Sequence, residues 1–171
     1  MSSRRLSKRV RGDIADPVTA KALNKCQQEI GKVADKFLRA KSKALQKCWD
    51  QRLKGLHAAN CPDPGLGDGK TLAAIVKAEG KTRAAICNKC GGHDKLCGGV
   101  GEDADFTPTD IGFAATCPAV TVPFGGPACG GTVSTLQGLV DCVACVVEFR
   151  VDCIDSAQVP EFVPYPCECN P

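Results

Sequence analysis

The sequence predicts a mainly α, disulfide-stapled helical bundle with one long basic helix and a Gly/Pro-rich central loop. Three observations carry that expectation. Thirteen cysteines occur in 171 residues, several of them three or four apart within helical patterns. Apolar residues recur at intervals of three and four over three separate stretches. One Trp, one Tyr and six Phe are too few large rings to supply much of a core. Cysteine at this density in a small chain reads as a disulfide framework, and such frameworks persist only in oxidising compartments. The expected setting is therefore secreted, periplasmic or cell-surface.

The chain divides into a basic, flexible N-terminal segment (1–15), a disulfide-rich helical domain (16–158) and a Pro/Cys tail (159–171). The first segment holds Arg4, Arg5, Lys8, Arg9 and Arg11, but Gly12-Asp13 stands where an export signal needs an apolar run. A leader for an exported chain is thus not contained in the sequence as written. No stretch of about 18 apolar residues is present, so no membrane-spanning helix is expected.

The first helix is expected to start at Asp16-Pro17, an N-cap side chain followed by proline at the first helical position. Leu23, Cys26, Ile30, Val33, Phe37, Ala44, Leu45, Cys48, Trp49 and Leu53 mark its apolar side. Lys21, Lys25, Lys32, Lys36, Arg39, Lys43, Lys47 and Lys54 lie between them. The pattern runs to about Ala58, a rod of roughly 60 Å, with Gly31 as the place for a bend. Cys26 and Cys48 share a face, giving one helix two separated attachment points.

Asn60 to Gly69 reads as a loop, and Asp68 as the cap of a second helix. Leu72, Ile75, Val76, Ile86, Cys87 and Cys90 form its apolar stripe, and Gly91-Gly92 its left-handed stop. From Gly98 to Gly131 the chain is rich in Gly, Pro and Thr, with only Ala119 to Val122 hinting at extended structure. A loop of this length must be tied down or functional. A Cys117 to Cys129 bridge would tie it, as would a bridge from each to a helix. Ser134 is the expected N-cap of a third helix, with Leu136, Leu139, Val140, Val143, Val146, Val147 and Ile154 inward and Cys142, Cys145, Phe149 and Cys153 beside them. Cys87-x-x-Cys90 with Cys97, and Cys142-x-x-Cys145 with Cys153, form a faint internal echo.

The disulfide candidates are Cys26, Cys48, Cys61, Cys87, Cys90, Cys97, Cys117, Cys129, Cys142, Cys145 and Cys153. The odd count leaves one sulfur over, expected in the Cys167, Cys169 tail. Cys87, Cys90, Cys142 and Cys145 could instead hold Zn(II) or Cu(I) as thiolates, but 51 residues between the pairs is far from the spacing of compact zinc modules. Gly91 after Cys90 excludes covalent haem. Both C-x-x-C pairs fall late in or inside helices, where the dipole does not favour a reactive thiolate. Asp103, Asp105 and Asp110, with Glu102, offer oxygen ligands for calcium without an EF-hand template. His57 and His93 are the only histidines, and no serine lies in G-x-S-x-G, so a small secreted hydrolase of esterase or lactonase type would need an unfamiliar arrangement. No other organic cofactor is indicated.

Charge is uneven. Residues 1–58 carry 15 Lys and Arg against 5 Asp and Glu, whereas residues 59–171 carry 7 against 14. The imbalance can be met within the fold, between copies, or by an anionic partner. A solvated lysine face is the ordinary meaning of such a run. Without interleaved aromatic residues, nucleic acid is a poor partner; an anionic polysaccharide, lipid headgroups or a protein partner fit a basic helix outside the cell better.

Lys41 to Trp49 (K-S-K-A-L-Q-K-C-W), then T-L-A-A-I-V-K-A-E-G-K-T-R-A-A-I-C and L-V-D-C-V-A-C-V-V-E-F-R-V-D-C, resemble uncharacterised cysteine-rich, Lys/Ala-rich helical modules of predicted secreted bacterial proteins. The likeness spans residues 20–155. It implies export and a stapled helical fold and transfers no catalytic residue. The function expected is a non-catalytic extracytoplasmic binding or structural module, with thiolate metal binding and hydrolysis as the alternatives.

Overall fold

The computed structural model describes residues 17–62, 69–98 and 105–170. The basic segment 1–15, Asp16, Asp68, Glu102 and Asp103 lie outside them. Three helices form the bundle: α1 (Pro17–Leu53), α2 (Lys70–Cys90) and α3 (Leu136–Gln158), followed by a short 3-10 turn at Cys167–Cys169. No strand is formed among the described residues, and no helix there is long and apolar enough to cross a membrane.

The helix α1 passes through Gly31 without a break. A glycine inside a helix costs about 1 kcal/mol relative to alanine, and the buried residues on either side, Ile30 and Val33, hold this turn on the core. It ends at Leu53, five residues before the expected Ala58. Gly55, at φ +72°, turns the chain left-handed, its N–H donating to Arg52 O (2.9 Å) and that of Leu56 to Gln51 O (3.0 Å). These are the two bonds of a Schellman stop. The N-cap of α3 is Thr135 rather than Ser134, its hydroxyl accepting from Gly138 N at 3.1 Å.

The core runs along α1. Phe37, Leu45, Ile86, Leu139, Val140 and Val151 are almost fully buried where the helices meet. On α2 the buried line is Thr71, Ile75, Thr82, Ile86 and Cys90. Leu72 and Val76, expected to be inward, are 36% and 58% exposed, and Ile154 of α3 is 49% exposed. The bond from Cys90 to Cys26 sets how α2 is rotated against α1, and Thr82 rather than Val76 faces Val33. Its hydroxyl stays satisfied by donating back to Ala78 O at 3.1 Å.

Six disulfides close the structure: Cys26–Cys90, Cys48–Cys61, Cys87–Cys97, Cys117–Cys142, Cys129–Cys145 and Cys153–Cys169. Cys167 is the free, exposed thiol. The central loop folds into an irregular ribbon, with Cys129 N donating to Val120 O (2.7 Å) and Cys117 N to Gly131 O (2.9 Å). Cys117 and Cys129 each bond to α3 and not to each other, so the loop is pinned to the outside of that helix at two successive turns.

Candidate functional site

Three places concentrate chemistry. The first is a cavity of about 360 Å³ between α1, α3 and the loop 122–127. Lys41 projects from the core side of α1 and is 4% exposed. Its Nζ lies 2.8 Å from Asp152 and 3.6 Å from Glu148. About two turns further along α1, the Trp49 indole N–H donates to Asp155 Oδ2 at 2.8 Å. Glu148, Asp152 and Asp155 stand at i, i+4 and i+7 of α3 and so share the face turned to α1.

Burial pushes all three carboxyls above the ordinary carboxylate range, against the lowering pull of Lys41, or of the Trp49 N–H in the case of Asp155. Each charge is nonetheless assigned to a partner in the wall. Ser156, also lining the cavity, donates its hydroxyl proton to Cys153 O at 3.1 Å. Neither histidine lines this cavity. The cluster has the form of a clasp between α1 and α3, not of a nucleophile with its base.

The second place is the end of α1. The spacing Cys48, His57, Cys61 brings two sulfurs and an imidazole nitrogen within 4.8 Å of one another. Gly55 turns the chain back so that His57 Nε2 lies 3.1 Å from Cys48 O and 3.9 Å from its Sγ. With Nε2 donating to that carbonyl, Nδ1 is a buried lone pair without a hydrogen-bond partner. The two sulfurs are joined to each other, so in this state they are not thiolate ligands.

The other cysteines that could offer thiolates to a metal are disulfide-bonded in this structure. Cys87 bonds to Cys97, Cys90 to Cys26, Cys142 to Cys117 and Cys145 to Cys129. Sulfurs three apart on a helix diverge by about 60°, which sends the members of each pair to different partners. Asp110 accepts from the Thr107 N–H (3.0 Å) and hydroxyl (2.6 Å), capping the turn at 107–110. Asp105 is half-buried just ahead of that turn, and His93 is exposed at the end of α2.

The third place is the solvent face of α1. Lys21, Lys25, Lys32, Lys36, Lys43 and Lys47 are exposed, and Lys54 follows at the helix end. Only Lys32 among them meets a carboxylate of the described residues, Glu29 at 3.4 Å. Among the described residues, Lys41 is the one α1 lysine that pairs with a carboxylate of the acidic half. The Lys41 clasp is not among the sites expected from the sequence, although position 41 continues the core line of Phe37, Leu45 and Cys48 at intervals of four and three. No family model matches the chain, and neither a curated protein nor a solved structure matches it.

Proposed function

We propose that the protein is a non-catalytic module that works outside the reducing cytosol and engages an anionic surface through the exposed face of α1. The observation that carries this reading is that, among the described residues, Lys32 alone of the outer α1 lysines has a carboxylate partner. Among the described residues the acidic half meets α1 through Lys41 and Trp49, away from that face, and the outer lysines are exposed. Six disulfides support an oxidising setting, since reducing compartments keep thiols open. The resemblance to secreted bacterial modules points the same way. Binding to anionic and neutral resins should separate sharply, with retention lost as salt screens the lysines. Equal retention on both resins refutes the reading.

One observation favours a second reading, a thiolate metal site at Cys48, His57 and Cys61. A dithiol reductant would open the 48–61 bond and leave as its own disulfide. Zn(II) or Cu(I) would then displace the two thiol protons, with His57 as third ligand and an open fourth position. Protein reduced at this bond alone and titrated with Co(II) should show thiolate charge-transfer absorption that H57A weakens. An unchanged spectrum in H57A removes the histidine from the site.

A further inference from the structure

We propose that the exposed face of α1 is a ladder for a single linear polyanion, an acidic polysaccharide strand lying along the helix axis. This rests on the basic-face reading above and adds the class of partner. Lys21, Lys32, Lys43 and Lys54 stand eleven residues apart, and so do Lys25, Lys36 and Lys47. Eleven residues make three helical turns plus about 20°. The seven lysines therefore fall within an arc of roughly 80°, as three pairs and the single Lys54 that recur every 17 Å or so along about 50 Å of helix. Lys41, the lysine that breaks the period, is the one that points into the core.

Solubility alone does not select such a row. Like charges at i and i+4 weaken a helix, and ordinary solubilising surfaces intersperse the two signs. Here the unfavourable pair occurs three times, at 21/25, 32/36 and 43/47. Glu29 and Asp50 are the carboxylates within the arc, and Asp35 at its edge is taken by Arg39 at 3.0 Å. Lys21, Lys25, Lys36, Lys43 and Lys47 have no ion-pair partner among the described residues.

The shape of the row selects among anions. An interfacial helix lays a continuous apolar face into the lipid beside its lysines, but Ile30, Val33, Phe37 and Leu45 are consumed in the core, the arc carries no aromatic ring, and the large apolar residues exposed on α1 are Val18 and Leu53, at its two ends. The phosphates of a duplex wind away from a straight rod. A flexible strand bearing carboxylate or sulfate groups can place anions on successive lysine pairs and release their counterions, a gain that grows with every pair engaged.

The test uses the full chain with its disulfides intact. Affinity for heparin and polygalacturonate is measured against salt for the wild type, for K25Q/K36Q/K47Q on the ladder, and for K77Q/K81Q/K89Q on α2, which removes the same charge elsewhere. Circular dichroism and melting of each variant report on folding. The ladder variant should lose about tenfold or more in affinity, and its log–log salt slope should fall by about 2. The α2 variant should stay within about twofold of wild type, and affinity for size-fractionated oligosaccharides should rise until they span the row. Equal losses in the two variants mean that net charge alone binds, and overturn the ladder. Binding to phosphatidylserine vesicles without binding to polysaccharide keeps the basic-face reading and overturns the polymer. Tighter binding to duplex DNA than to either polysaccharide also overturns the polymer assignment. Binding to no anion overturns both readings.

Discussion

Trp49 donates its indole N–H to Asp155 at 2.8 Å, joining α1 to α3 across 106 residues of sequence. The same ring stacks on Phe162, with centroids 5.6 Å apart, and Arg52 lies over both rings. Burial holds the Asp155 carboxyl above the ordinary range despite this donor. A carboxyl whose pKa is higher folded than unfolded binds its proton more tightly when folded. Its contribution to stability is complete below the ordinary carboxylate range and is lost as pH rises through the folded value. Trp49 is the only tryptophan, so its fluorescence should titrate with a midpoint above that range. Asp155→Asn keeps an acceptor for the indole, so it should abolish the transition and raise the melting temperature at neutral pH. A titration unchanged in D155N would assign it to another group.

Glu148 and Asp152 are raised by burial in the same direction, so the clasp should make the protein more stable at mildly acidic than at neutral pH. Lys41 is what makes the pair tolerable. Lys41→Met leaves two half-buried carboxylates facing each other and should cost about 3–5 kcal/mol in denaturant unfolding. The triple variant K41M/E148Q/D152N should recover most of that loss, because a neutral hydrogen-bonding cluster replaces uncompensated charge. If the triple variant were no better than K41M, packing of the lysine stem rather than its charge would hold the helices together.

What the sequence disclosed was set by local rules, and what it concealed was set by rotation and pairing between distant elements. Apolar spacing identified all three helices, and Gly91-Gly92 marked the end of α2. The partner of each sulfur stayed hidden because Cys87 and Cys90 leave one helix in directions about 60° apart. One therefore reaches back to Cys26 and the other forward to Cys97. Leu72 and Val76 were misplaced for the same kind of reason: a stripe of apolar residues wider than the contact leaves the choice of buried line to the neighbouring helix. Lys41 sat in the core register, but its charge grouped it with the solvent lysines. The eleven-residue lysine period is present in the sequence, and it acquires meaning only once the face is known to be exposed and, among the described residues, unpaired save for Lys32 with Glu29.

The bonds should contribute unequally. Cys26–Cys90 closes 64 residues and Cys87–Cys97 only 10. By chain entropy their removal should cost about 4 and about 3 kcal/mol respectively. Cys26 and Cys90 are both fully buried, so C26A/C90A adds a packing defect that widens the difference. Urea unfolding of the two double variants measures the gap. An equal or reversed order would show that the unfolded chain is already compact around α1 and α2.

Gly91 is fixed by close approach. A Cβ there would lie 2.0 Å from Leu96 O and 2.6 Å from Cys87 O, both of them backbone atoms that cannot swing aside. The tight return it permits is what brings Cys97 to Cys87. Gly91→Ala should therefore impair the 87–97 bond as well as destabilise the fold by about 2 kcal/mol or more. Alkylation without reductant would then find two additional thiols, mapped to these positions. Destabilisation with the bond intact would mean that the loop 91–96 can relax around the methyl group.

Cys167 is exposed and unbonded while Cys169, two residues on, is tied to Cys153. Alkylation of the folded, unreduced protein should add one label per chain, at Cys167. In air-oxidised concentrated protein the same thiol should join two copies into a dimer that dithiothreitol dissolves and C167S never forms. More than one label per chain would show that some of the six bonds are open in the native molecule. A dimer that persists in C167S would place the contact between copies on another surface, such as the outer face of α2 where Leu72 and Val76 are exposed.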